Sequence, residues 1–245
     1  MEFNMRLIHT RDYDDMSRKA ANILAATVTL KPGSVLGLAT GSSPLGVYQY
    51  LADWYKNGDI DFSQAAAVNL DEYKGVAPGA EQSYRYFMQK NLFSKINIRT
   101  DRQHIPDGLA KDSAAECTRY EELIRKMGGI DMQLLGIGHN GHIGFNEPCG
   151  EFVKDTHLVD LSESTVNANS RFFGRRGDVP VQAYTMGIRT IMNARRVLLI
   201  VSGEEKAGIV KRAFFGGVSP DVPASVLQLH SDLTLVGDEA ALSQI

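Results

Sequence analysis

Apolar positions along this chain follow two rhythms that alternate. From Tyr13 to Leu30, Met16, Ala20, Ile23, Leu24 and Val28 recur mostly at three- to five-residue steps, the spacing of one helix face. Residues 35–39 are then a short unbroken apolar run, the mark of a strand buried on both sides. The alternation continues. Helices are predicted over residues 44–55, 83–92, 113–127, 164–173 and 206–215, with Pro44 suited to the first turn of its helix. Strands are predicted over residues 65–70, 132–137, 197–202 and 233–237. Short apolar strands joined by helices imply a mostly parallel sheet covered on both faces. The expected fold is therefore one doubly wound, Rossmann-like α/β domain spanning residues 1–245.

Composition narrows the class without naming a chemistry. The 245 residues carry a net charge of −3 and 43% hydrophobic residues, ordinary for a globular chain with a sizeable core. That charge gives no overall basic field, so no nucleic-acid partner is expected. No apolar stretch approaches the roughly 20 residues needed to span a bilayer, and the first residues lack a secretory pattern. Cys117 and Cys149 form no CxxC pair and read as inert thiols, so a reducing cytoplasm is the simplest location.

Four loops carry the polar chemistry, and each follows or precedes a predicted element. Thr40-Gly41-Ser42-Ser43-Pro44 joins a strand to a helix. Helix N-terminal N–H groups with small hydroxyl residues suit an anion, although a plain helix start capped by Ser43 has the same look. It lacks the Gly-Lys-Ser/Thr of a nucleotide triphosphate loop and the spacing of a dinucleotide fingerprint. Asn69-Leu70-Asp71-Glu72-Tyr73 ends the next strand, offering either an acid–base pair or a solvated turn or helix cap. Gly138-His139-Asn140-Gly141-His142-Ile143-Gly144-Phe145-Asn146-Glu147-Pro148 follows the 132–137 strand. In it His142 can move protons near neutral pH and Glu147 can orient it, while His139 reads as a solvated loop residue. Its spacing fits neither a helical nor a structural zinc pattern, and no metal is expected. The last charges are Arg171, in Asn169-Ser170-Arg171-Phe172-Phe173, and Lys206, just after a strand. They would neutralise a phosphate held by the first loop, or else be ordinary surface charges, as Arg175 and Arg176 appear.

Taken in order, these motifs resemble the glucosamine-6-phosphate deaminase family, also called glucosamine-6-phosphate isomerases, from about Arg6 to Asp238. Phe145-Asn146-Glu147-Pro148 separates the chain from 6-phosphogluconolactonases, the related family on this fold, which usually continue the Gly-His loop differently. The resemblance implies ring opening of glucosamine 6-phosphate, proton transfer from C2 to C1, and hydrolytic release of ammonia to leave fructose 6-phosphate. It implies no cofactor and no metal. Asp71 would be the C2 base, and His142, with Asn140 and Glu147, would serve ring opening. Thr40, Gly41, Ser42, Ser43, Arg171 and Lys206 would hold the phosphate, and Glu72 and Gly138 would line the same pocket.

Two departures from the family pattern bear on mechanism and assembly. Many members carry an acid at the position of Asn140, and a neutral amide orients an imidazole without supporting its cation as strongly. Allosteric hexameric members carry basic residues where His157 and Val159 stand, and a longer tail than one ending at Ile245. A monomer without an amino-sugar effector site is the expectation. The other function classes are a lactonase, which needs no C2 base, and a non-catalytic sugar-phosphate sensor, for which no DNA-binding segment is visible.

Overall fold

Every apolar run read as a strand enters one parallel sheet in the computed structural model, which describes residues 5–161 and 180–245. The strands are β1 (Met5–Thr10), β2 (Val35–Leu38), β3 (Ala66–Asn69), β5 (Gln103–His104), β6 (Met132–Leu135), β9 (Val197–Val201) and β10 (Leu233–Asp238). Their order is β1-β10-β9-β6-β2-β3-β5, and every pairing is parallel. The strands the apolar pattern missed, β1 and β5, are the two edges. An edge strand buries less, so its hydrophobic signal is weak: β1 has only Thr10 fully buried, and β5 is two residues long.

Helices α1 (Tyr13–Leu30), α2 (Leu45–Asn57) and α3 (Tyr84–Asn91) cover one face, packing Met16, Leu24, Val47, Leu51 and Met88 against Leu36, Leu38, Leu198 and Ile200. Helices α4 (Ser113–Lys126), α5 (Ile188–Met192) and α6 (Ala207–Phe215) cover the other, against Val35, Leu135, Val197 and Leu199. Alternate residues of β9 thus feed opposite layers, the period-two consequence of a strand buried on both sides. Among the described residues no helix is long and apolar enough to cross a membrane.

A second sheet was not anticipated. It is small and antiparallel, ordered β4-β8-β7, from β4 (Asp71–Tyr73), β8 (Gln182–Thr185) and β7 (His157–Asp160). Strands of three and four residues are too short for a readable period. The predicted helix at 164–173, with Asn169 and Arg171, lies outside the described residues.

The chain order fixes where a ligand can bind. From β2 the chain moves outward to β3 and β5, then returns to β6 on the other side of β2 and proceeds outward to β9 and β10. The direction reverses between β2 and β6, and loops diverging there open a crevice at the strands' carboxyl ends.

Candidate active site

The loop after β2 and the loop after β6 are the two walls of that crevice. They are close: the position a Cβ would take on Gly136 lies 3.6 Å from the Ser43 hydroxyl. In the first loop Gly41 has φ +92°, a left-handed turn with open space around it, and Gly41 and Ser42 are exposed. Ser43 does not cap the helix. Pro44 takes that position, and α2 has no side-chain cap, in contrast to Asp12 on α1, Ser83 on α3 and Asp112 on α4. The Tyr13 hydroxyl braces the turn, accepting from Gly46 N at 2.9 Å and lying 3.0 Å from the Ser42 carbonyl. The start of α2 is thus a buttressed helix terminus with exposed small residues, suited to an anion.

Lys206 ends a 3₁₀ turn that follows β9. Its ammonium donates to the Ile137 carbonyl at 2.9 Å, so it stands over the carboxyl end of β6 as expected. Burial pushes its pKa down, and the nearby Glu205 opposes that. An anion arriving in the crevice would favour its charged form.

Asp71 opens β4, one residue beyond the last contact between β3 and its neighbours. It is 6% exposed, and its Oδ1 has no hydrogen-bond partner among the described residues. Burial, then the adjacent Glu72 charge, pushes its carboxyl up to about 8. Glu72 differs. Successive strand residues face opposite sides, and its carboxylate accepts from the backbone N–H of Tyr73 and Tyr84 at 2.9 Å and of Arg85 at 3.0 Å. Its oxygens are committed to the start of α3, so the expectation that Glu72 lines the pocket is corrected. The helix-cap reading of that residue is the one the geometry supports.

The 138–148 loop folds back on itself around His142. Gly138 N donates to the His142 carbonyl at 2.9 Å, and Gly141, at φ +91°, makes the turn between them. A Cβ on Gly138 would lie 2.2–2.4 Å from Cε1, Nε2 and Nδ1 of His142. Gly138 therefore borders the site by leaving room for the imidazole. His142 Nδ1 donates to Asn140 Oδ1 at 2.7 Å, and the Asn140 amide donates to Glu147 Oε2 at 2.5 Å. The Glu147 oxygen is also 3.5 Å from Nδ1. The amide is thus a link between carboxylate and imidazole, and it selects the tautomer whose Nε2 can accept a proton. His139 is exposed.

The two halves meet at Gly144. At φ +58° its backbone runs beside Asp71, with a would-be Cβ 3.7 Å from its Oδ2. Beyond it the rings of Tyr73, Tyr84 and Phe145 form an aromatic cluster, with centroids 4.7 to 6.1 Å apart, that excludes water from one side of β4. Of the expected residues, Asp71, Asn140, His142, Glu147, Gly138, Lys206 and the 40–43 loop all lie at this carboxyl edge. Arg171 lies outside the described residues. Both cysteines are free, and among the described residues no cluster of His, Cys, Asp or Glu is arranged for a metal ion.

The glucosamine-6-phosphate isomerase/6-phosphogluconolactonase family model matches residues 11–236. The chain belongs to that family. Within it, the chain is similar to deaminases over nearly its whole length. The glucosamine-6-phosphate deaminase of Lachnoclostridium phytofermentans is 59% identical over 232 residues, covering 95% of this chain and 98% of the relative. That of Halothermothrix orenii is 54% identical, covering 98% and 99%. A solved structure, described as a monomeric glucosamine-6-phosphate deaminase, superposes with a TM-score of 0.95 at 44% identity, covering 98% of this chain and all of that one.

Proposed function

We propose that this chain is a glucosamine-6-phosphate deaminase whose whole length, 1–245, works as one catalytic domain. It opens the sugar ring, moves a proton from C2 to C1, and lets water displace the nitrogen as ammonia, leaving fructose 6-phosphate. The observation that carries the assignment of roles is Asp71: a buried carboxyl beside the histidine loop, its Oδ1 without a hydrogen-bond partner among the described residues. A lactonase needs no such base, since ester hydrolysis removes no carbon-bound proton.

In this scheme the phosphate sits on the 40–43 loop at the start of α2, with Lys206 and Arg171 supplying charge. Holding that remote group positions the reacting carbons. Nε2 of His142 takes and returns the proton that moves between the ring oxygen and O1. Asn140 and Glu147 are positioning residues that fix its tautomer. Asp71, ionised when the cationic amino sugar binds beside it, removes the C2 proton and returns it to C1. A base tuned toward the working pH is efficient in both directions. No cofactor enters this scheme. The enzyme works in the cytoplasm, and as a monomer; the second reading is supported by the likeness to a deaminase described as monomeric. Incubation with glucosamine 6-phosphate should yield ammonia and fructose 6-phosphate in equal amounts. Hydrolysis of 6-phosphogluconolactone without ammonia release from the amino sugar would refute the reading.

A further inference from the structure

The proton-transfer base and the ring-opening histidine lie on different segments, and the end of β8 joins them. Thr185 ends β8, directly opposite Asp71 in the antiparallel register. Directly opposed residues share a face of the sheet, so its hydroxyl and the Asp71 carboxyl point the same way. Thr185 is fully buried, and its Oγ1 accepts from Phe145 N at 3.0 Å, in the loop that carries His142. The next residue repeats the link: Met186 N donates to the Leu70 carbonyl at 2.8 Å, while the Met186 carbonyl accepts from the Asn146 amide at 2.8 Å. Gly144 passes between the two, its would-be Cβ 2.9 Å from Thr185 Oγ1 and 3.7 Å from Asp71 Oδ2.

We propose that Thr185 is a positioning residue whose hydroxyl sets the separation of Asp71 from the His142 loop. The inference rests on the roles proposed above for those two residues. Packing alone cannot supply this. A valine of the same shape would fill the space but leave the buried Phe145 N–H unpaired, and the loop would move to rehydrate or re-pair it. Small displacements of reacting groups cost rate steeply, about 100-fold for 1 Å.

The test is steady-state kinetics of Thr185→Val and Thr185→Ser beside wild type and Asp71→Asn, each at a temperature well below its melting transition. Thr185→Val should lose ~10- to 100-fold in kcat with KM within about twofold, because the phosphate subsite is untouched. Thr185→Ser, which keeps the hydroxyl, should recover to within about threefold of wild type. A folded Thr185→Val with wild-type kcat overturns the inference, as does a serine variant as impaired as the valine one. If the valine variant does not fold, Thr185→Ala, which also removes the hydroxyl that accepts from Phe145 N, decides by the same criteria. Full turnover in Asp71→Asn would instead sink the underlying roles, so the two failures are distinguishable.

Discussion

Gly138→Ala is the mildest substitution that reaches the chemistry. Gly138 is not among the glycines at positive φ, so alanine fits the backbone, and the nearest obstacle is the His142 ring 2.2 Å from the new methyl. Ordinary contact begins at about 3.4 Å, so the ring must retreat by about 1.2 Å. That movement opens the 2.7 Å bond from Nδ1 to Asn140 beyond hydrogen-bonding distance. Because a half-exposed side chain moves rather than backbone, the stability cost should stay near one hydrogen bond, about 1 kcal/mol. A displacement of about 1 Å in a reacting group costs on the order of 100-fold in rate, or about 2.7 kcal/mol in the barrier. The variant should therefore melt close to wild type but turn over ring-closed glucosamine 6-phosphate ~100-fold more slowly. Ammonia release measures the rate, and thermal denaturation measures the fold. Wild-type kcat in a folded Gly138→Ala would refute the claim that the imidazole must sit where this glycine leaves room.

Asp71→Asn should be more stable than wild type at pH 8–9, because the folded protein protonates Asp71 near 8 while the unfolded chain releases that proton near 4. The unfolded state thus binds fewer protons between those values, wild-type stability from this group falls as pH rises through that window, and melting curves of the two proteins should converge toward pH 4. In Glu72→Gln the acid limb of kcat/KM should move to lower pH, since a neighbouring charge that raises Asp71 is gone; an unmoved limb would assign the limb to another group. Lys206→Ala should raise KM for glucosamine 6-phosphate by more than it lowers kcat, a charge-assisted contact being worth ~1.5–3 kcal/mol; unchanged KM would remove Lys206 from the phosphate site.

The parallel sheet was legible because its inner strands are continuous apolar runs, and Leu198 and Leu199 must both be buried. The edges β1 and β5 were not, since half-exposed strands carry no such run. The antiparallel sheet was invisible for a different reason: Asp71-Glu72-Tyr73 is too short and polar to show a period, so β4 passed for a loop. That hid what separates the two acids. In a loop Asp71 and Glu72 look equivalent, whereas on a strand they face opposite ways, one toward the crevice and the other onto the start of α3. His142, Asn140 and Glu147 were readable because a polar, glycine-rich segment after a buried strand packs no core. Thr185 carried no signal, since a threonine in a short strand is common and its importance comes only from lying opposite Asp71.

The central claim is that Asp71 removes the C2 proton, and isotope transfer during turnover tests it most directly. With glucosamine 6-phosphate in deuterated water, wild type should produce ammonia and fructose 6-phosphate labelled with deuterium at C1, read by nuclear magnetic resonance. The label is partial or full according to how far the abstracted proton exchanges with solvent on Asp71 before it is returned. Folded Asp71→Asn should bind the sugar phosphate yet yield neither labelled product nor C2 exchange in recovered substrate. Wild-type labelling and turnover in Asp71→Asn would contradict the account.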